Sequence, residues 1–314
     1  ERRAHWPHAL LATSTHDTKR GEDVRARINV LSEIPERWRG ALAGWAKHNR
    51  RFRIKVDETL VPDRNEEYLL YQTLLGAWPS TPMDEPEYEA FTERVEQYMV
   101  KAIREAKVHT GWINPREEYE DAAKKFVRAI LDRSVSNPFL EAFLPFHTLV
   151  ARCGMHNSLA QLLVKITAPG IPDCYQGTEL WEFSLVDPDN RRPVDFERRA
   201  AMLQDCHDSA GEQGIDRLAL VRRLMESWED GRIKLYLLHR GLRHRREHAT
   251  LYLDGDYVPL ECHGARQSNI CAFARLHQEQ AIVTVIPRLS AELVPAGSAA
   301  VGDVWQETRL TVPS

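Results

Sequence analysis

Most of the short signatures that announce a protein's chemistry are missing from this sequence. It holds no GxGxxG and no GxxxxGK[ST], so a nucleotide cradle has no support, and the GxSxG nucleophile elbow is absent as well. Its five cysteines are an odd number without a CxxC pair, which argues against a disulfide framework and for a reducing, cytoplasmic setting. Cys153 and His156 stand three apart, but no second pair with zinc spacing joins them; no metal site is expected, and both read as core or interface residues. No cofactor is expected either. Long apolar runs are lacking: Ala281 to Pro287 is typical, far short of the ~20 residues that span a bilayer, so no membrane partner is expected. Nor is there a basic excess. Lys and Arg total 42 against 46 Asp and Glu, a net charge of -4, without the strongly basic footprint of a nucleic-acid protein. Lysine itself is scarce, 9 against 33 arginines, which reads as codon bias. The chain opens at Glu1 with no initiator Met and no charged-then-apolar leader, so it reads as cut from something longer.

What is present is an ordinary globular composition, 43% apolar and 28% charged, with length enough in 314 residues for two domains or one large one. Leu10, Leu11 and Ala12 form an apolar run that ends in polar residues, the pattern of a strand buried on both faces of a parallel sheet. Glu22 and Asp23 suit the positive end of a following helix that carries Val24, Ile28 and Leu31, and Pro35 opens another with Trp38, Leu42 and Trp45 on one face. Residues 53–137 read as helical throughout, interrupted by WPSTPMDEPE, with Asn114 capping a third helix and Pro115 starting it. Helix resumes over 138–163; Leu162 to Thr167 (LLVKIT) then reads as a strand and APGIPDCYQGTEL as the loop after it. Helices are expected at 195–205, 214–228 and Lys234 to Arg245, the basic RGLRHRREH being a solvated helix face. Beyond residue 248, Thr250–Leu253, Tyr257–Leu260, Asn269–Ala274 and Ala281–Ile286 read as strands of a small antiparallel domain.

Two segments carry candidate chemistry. Thr15, His16, Asp17, Thr18, Lys19 and Arg20 are consecutive polar residues where the first strand runs out. A carboxylate flanked by cations stays ionised, and beside a donor such as His16 it could hold sugar hydroxyls and stabilise a cationic transition state. The alternative is a helix N-cap with a solvated start. The second segment is the Pro- and Gly-punctuated loop Ala168–Leu180 with its continuation WEFSLVDPDNRRPVD. Here Tyr175, Trp181 and Phe183 offer flat faces for stacking on a sugar ring, while Asp187, Asp189, Arg191 and Arg192 offer planar charged groups for its hydroxyls. The alternative is a salt-bridged structural turn, although so long a loop without regular structure is uncommon unless it has a task.

Longer text carries more than these short patterns. Through WPHALLATSTHDTKRGEDVRARINVLSEIP, EEYLLYQTLLGAWP, REAKVHTGWINP and NSLAQLLVKITAPGIPDCYQGTELWEFSLVDPDNRRPVDFERR, the chain resembles the maltooligosyl trehalose synthase family of the α-amylase superfamily. The likeness extends over most of residues 4–310 and thins after about 200. It implies an α-rich multidomain α/β fold, with part of a (β/α)8 barrel, its last two strands and their helices, at 1–52 (strand 7 region) and 138–247 (strand 8 region and following helices). A large helical insertion would fill 53–137, and a shortened C-terminal antiparallel β domain 248–314.

The activity implied is an intramolecular transglucosylation, converting the reducing-end α-1,4 bond of a maltooligosaccharide substrate into an α,α-1,1 bond with retention. By the same resemblance Asp17 matches the superfamily's third carboxylate, which stabilises the oxocarbenium-like state, and His16 its hydrogen-bonding neighbour. Lys19 and Arg20 would hold the polar surround; Tyr175, Gln176, Asp187, Asp189, Arg191 and Arg192 would bind substrate. The superfamily's nucleophile and acid belong to motifs absent from residues 1–314, so the chain is expected to be inactive without the missing N-terminal part of the same enzyme as its partner. A non-catalytic α-glucan-binding or partner-packing module, and the related trehalose-releasing hydrolase, are the alternatives. THDTKR and DPDNRRPVD favour the mutase over the hydrolase.

Overall fold

A computed structural model describes residues 2–210, 217–291, 293 and 300–312. A short helix α1 (Arg2–His5) leads into strand β1 (Leu10–Ala12), followed by α2 (Glu22–Asn29) and α3 (Pro35–Asn49). A hairpin of β2 (Ile54–Val56) and β3 (Thr59–Val61) precedes α4 (Arg64–Ala77), α5 (Glu85–Ala106) and α6 (Glu117–Leu131). The long α7 (Pro138–Thr167) ends just before β4 (Ile171–Asp173). Helices α8 (Phe196–Ala210), α9 (Arg217–Glu226), α10 (Arg232–Glu247) and α11 (Ala249–Leu253) follow. The remainder is β5 (Asp256–Pro259), β6 (Cys262–His263), β7 (Ile270–His277), β8 (Gln280–Pro287) and β9 (Arg309–Leu310). Strands β5, β7 and β8 form an antiparallel sheet in that order, and β6 pairs with β9. Strands β1 and β4 run parallel, with Leu10 opposite Ile171 and Ala12 opposite Asp173.

Three of the long helices, α4, α5 and α7, start where side chains satisfy their first amides. Asp63 with Glu66, and Asp84 with Glu87, make reciprocal capping boxes at α4 and α5, and Asn137 accepts from the amides of Phe139 and Leu140 at α7. One core runs through α3, α4, α5, α6 and α7, centred on Trp45, whose ring meets Tyr71, Phe139 and Phe143 at centroid distances of 5.4, 5.7 and 5.4 Å. Helix α2 lies tight between α4 and α7. A Cβ on Gly76 would sit 2.5 Å from Val24 Cγ1, and one on Gly154 2.5 Å from Arg27 Cγ. Arg275, fully buried on β7, donates to the carbonyls of Asp256, Thr167, Tyr252 and Gly255, and so ties the end of α7 to the three-stranded sheet.

Several expectations are corrected. LLVKIT is the last turn and a half of α7 rather than a strand: Leu162 and Ile166, four apart, both pack on Leu238, and the parallel strand begins only after Pro169 and Gly170. β1 is not buried on both faces; Leu10 is 67% exposed, because among the described residues the strand has β4 as its neighbour and no layer over its outer face. Residues 53–137 are not helical throughout, since Val56 and Val61 of the hairpin pack with Tyr119 and Ile103. Helix α6 starts at Glu117 rather than at Pro115, with Arg116 rather than Asn114 at its N-cap position and no side chain capping its first amides; Thr110 Oγ1 accepts from the Arg116 amide at 2.9 Å and fixes the approach to the helix. Thr250–Leu253 is helical. The basic RGLRHRREH is not wholly solvated, as Arg245 donates to the carbonyls of Ile166 and Gly170. Of the helix expected at 214–228, residues 214–216 lie outside the described residues and α9 covers 217–226.

Candidate active site

Because β1 and β4 are parallel, the segments that follow them leave the same edge of the sheet, where loops can converge. They do converge. Asn190 Nδ2 donates to the His16 carbonyl at 2.8 Å, the Tyr175 hydroxyl donates to the Asn190 carbonyl at 3.2 Å, and the Gly21 amide donates to the Ser184 carbonyl at 2.8 Å.

Within the first segment, the Thr15 amide donates to Thr18 Oγ1 at 2.8 Å and the Asp17 amide to Thr15 Oγ1 at 3.2 Å. This tight turn turns the Asp17 carboxylate outward, its side chain 83% exposed and 3.2 Å from His16 Nε2. Lys19 and Arg20 do not flank the carboxylate. Lys19 reaches Glu105 on α5 at 2.8 Å and Arg20 reaches Thr73 Oγ1 on α4 at 3.2 Å, so the two cations moor the turn to the helices.

The second segment is held more firmly. Arg94 of α5 donates through Nε and Nη2 to both carboxylate oxygens of Asp189, at 2.9 and 3.0 Å, and Asp189 also accepts from the Leu185 amide at 2.7 Å. Arg192 lies 3.1 Å from Asp189; burial, and then Arg94, lowers its guanidinium pKa. Arg191 pairs with Asp187 at 2.5 Å, and Gln176 is exposed. Two of the aromatic faces expected to stack on a sugar are already taken. Trp181 Nε1 donates to the Trp228 carbonyl at 2.6 Å within an apolar cluster, and the Phe183 ring is covered by the Arg27 guanidinium at 3.7 Å. Arg199 holds Glu179 at 3.0 Å.

Beneath the turn lies an ionic network that no motif in the sequence announces. Lys234 Nζ, fully buried, lies 2.8 Å from Glu22 Oε1 and 2.7 Å from Asp23 Oδ2, and it donates to the Leu180 carbonyl at 3.2 Å. Lys165 donates to Thr13 Oγ1 at 2.9 Å and lies 3.6 Å from Glu22. Burial works against charge on Glu22, but Lys234 and then Lys165 outweigh it and hold the carboxyl at about 2. Burial likewise opposes the Lys234 charge, and Asp23 and Glu22 together raise its pKa. Glu22 and Asp23 therefore do more than favour a helix start; they bind α2 to α7, α10 and the end of β1. No spacing signal could have linked them to lysines so far along the chain.

One further group of potential metal ligands, Asp63, Glu66 and His109, has its ligand atoms within 4.8 Å of one another. Its oxygens are already committed: Asp63 and Glu66 form the α4 capping box, Tyr119 donates to Glu66 at 2.6 Å, and His109 lies 3.0 Å from Asp63. Against the cost of partial burial, the hydrogen bonds from Glu66 and His109 hold the Asp63 pKa low. On α7, burial pushes the Cys153 thiol up to about 11 and, with Arg152 adding to it, His156 down to about 4. All five cysteines are free thiols. Among the described residues no helix is long and apolar enough to cross a membrane.

Loops converging at the carboxyl ends of a parallel strand pair, with helices and a small antiparallel sheet behind them, are consistent with the glycoside hydrolase-like fold of the chain's structural neighbours, and comparison with known proteins gives that class. No family model matches the chain. It is 33% identical over 311 residues to a putative maltooligosyl trehalose synthase of Mycobacterium tuberculosis, covering 98% of this chain and 34% of that protein. The crystal structure of a maltooligosyl trehalose synthase matches with a TM-score of 0.72 at 36% identity, over 88% of this chain and 34% of its own. The maltooligosyltrehalose synthase of Arthrobacter ramosus matches at 0.73 and 32%, over 99% and 35%. The chain spans about a third of the length of these relatives, and in both sequence and backbone its resemblance is to maltooligosyl trehalose synthase.

Proposed function

We propose that the chain supplies one side of the active site of a trehalose-forming glucan isomerase. The observation that carries this reading is the meeting of the 15–20 turn and the 183–192 loop at one edge of a parallel strand pair, with Asp17 held outward by its own turn. Asp17 would face the developing charge of an oxocarbenium-like state, and His16 would donate to the same sugar. The 183–192 loop, braced by Arg94, would hold the adjoining part of a maltooligosaccharide. Its carboxylates Asp187 and Asp189 are bound to arginines, as is Glu179, so none of them is offered as the nucleophile or the acid. Those two groups would come from the remaining two-thirds of a relative-length enzyme.

The same reading explains the open sheet. A parallel strand pair needs cover on both faces, yet Leu10 and the neighbouring Trp6 are each 67% exposed. In this reading the rest of the barrel packs there, with 1–52 and 138–247 as barrel segments, 53–137 as the helical insertion and 248–314 as the C-terminal β domain. The five free thiols support a cytoplasmic setting. Incubating this chain alone with maltohexaose and following reducing ends tests the division of labour: no loss of reducing ends is expected. Turnover by the isolated chain would mean that it contains its own nucleophile.

A further inference from the structure

Helix α5 and the 185–192 loop line a pocket of about 290 Å³, and Gln97, Tyr98 and Lys101 on its α5 side have no part in the reading above. Its floor is apolar, made by Leu185, Val186 and Pro188. Tyr98, half-buried and packed in part against the main core, lines it together with Gln97 and Lys101, which share a helix face. The lining carboxylates are neutralised: Arg94 grips Asp189 at both oxygens, and Arg191 pairs with Asp187. The Tyr98 hydroxyl and Gln97 amide make no hydrogen bond among the described residues, and Lys101 Nζ, which donates to the Asp187 carbonyl, keeps further N–H groups. A mainly apolar lining that includes an aromatic residue beside neutral and cationic donors suits a polyhydroxylated ring. The volume lies at the low end of the ~300–1,000 Å³ usual for small-molecule sites, enough for a single ring rather than a chain.

We infer that this pocket is a subsite for one pyranose unit of an α-glucan, stacked on Tyr98 and held by Gln97 and Lys101. The inference rests on the glucan reading above and extends it to α5, which also receives Lys19 of the turn through Glu105. Because Asn190 of the pocket loop holds the His16 carbonyl, a ring seated here is coupled to the position of the turn.

Calorimetric titration of this chain with maltose and maltohexaose, alongside Tyr98→Ala and Gln97→Ala, tests the subsite. Tyr98→Ala should weaken maltohexaose binding about tenfold and Gln97→Ala several-fold. Gln97 is exposed, so its variant keeps the fold and isolates the rim contact if Tyr98→Ala unfolds. Undiminished binding by both Gln97→Ala and a folded Tyr98→Ala would overturn the subsite while leaving the glucan reading intact. Inorganic phosphate displacing maltohexaose would make it an anion site instead. No saturable binding by the wild-type chain at millimolar glucan would also overturn it, and the catalytic reading would then be judged separately by activity of the reassembled enzyme.

Discussion

Lys234, Glu22 and Asp23 show how much a single side chain can carry. Each is almost wholly buried, and each charge is tolerable only because the others are present. Lys234→Ala would leave two carboxylates buried without their ammonium and should cost ~3–5 kcal/mol in urea unfolding. The pH response has a definite sign. Folding depresses the Glu22 carboxyl from 4.5 to about 2, so its contribution is fully present above about pH 4.5 and is lost as the pH falls toward 2. Wild type should lose stability steeply through that window, whereas Glu22→Gln, weaker at neutral pH, should show a shallower slope. Parallel slopes would show that Glu22 is not ionised by its lysines. At this scale the sequence was partly legible. His16 and Asp17 stood out because a polar run follows an apolar one, a local signal. The ion network, Arg94 on Asp189 and Asn190 on His16 were invisible, since each joins residues brought together only by the fold.

Among the elements, α2 is the most constrained, pressed between α4 and α7 at glycines that leave no room for a methyl group. Gly154→Ala would bring its Cβ to 2.9 Å from the Arg27 backbone and should cost ~1–3 kcal/mol with a matching fall in Tm. Gly44, inside α3 with nothing within 4 Å of an added Cβ, makes the contrast: Gly44→Ala should be neutral or stabilise by up to ~1 kcal/mol. A larger loss at Gly44 than at Gly154 would contradict the packing described. Most long helices were readable from capping residues and apolar spacing. LLVKIT was not, because a short apolar run rich in branched residues fits a strand or a buried helix equally, and the contacts of Leu162 and Ile166 with Leu238 decide it. The β2–β3 hairpin was hidden for a similar reason. It is short and flanked by helices, and its strands are held by their own pairing, by Arg53 on the Leu60 and Pro62 carbonyls and by packing with Tyr119.

For the whole molecule, the arrangement of β1 and β4 matters most. Two short parallel strands with an exposed outer face do not make a self-sufficient sheet, while the helices behind them are densely packed. This asymmetry fits a chain that spans about a third of its relatives and would complete its site against the rest. The direct measurement is a chimera: the Mycobacterium tuberculosis relative with this chain in place of its own matching third, given maltohexaose and followed for loss of reducing ends without release of glucose. The wild-type chimera should consume reducing ends, and Asp17→Asn in the same chimera should lower turnover by about a thousandfold or more with its Tm nearly unchanged. Near-normal turnover by the Asp17→Asn chimera would contradict the assignment of this turn to the active site.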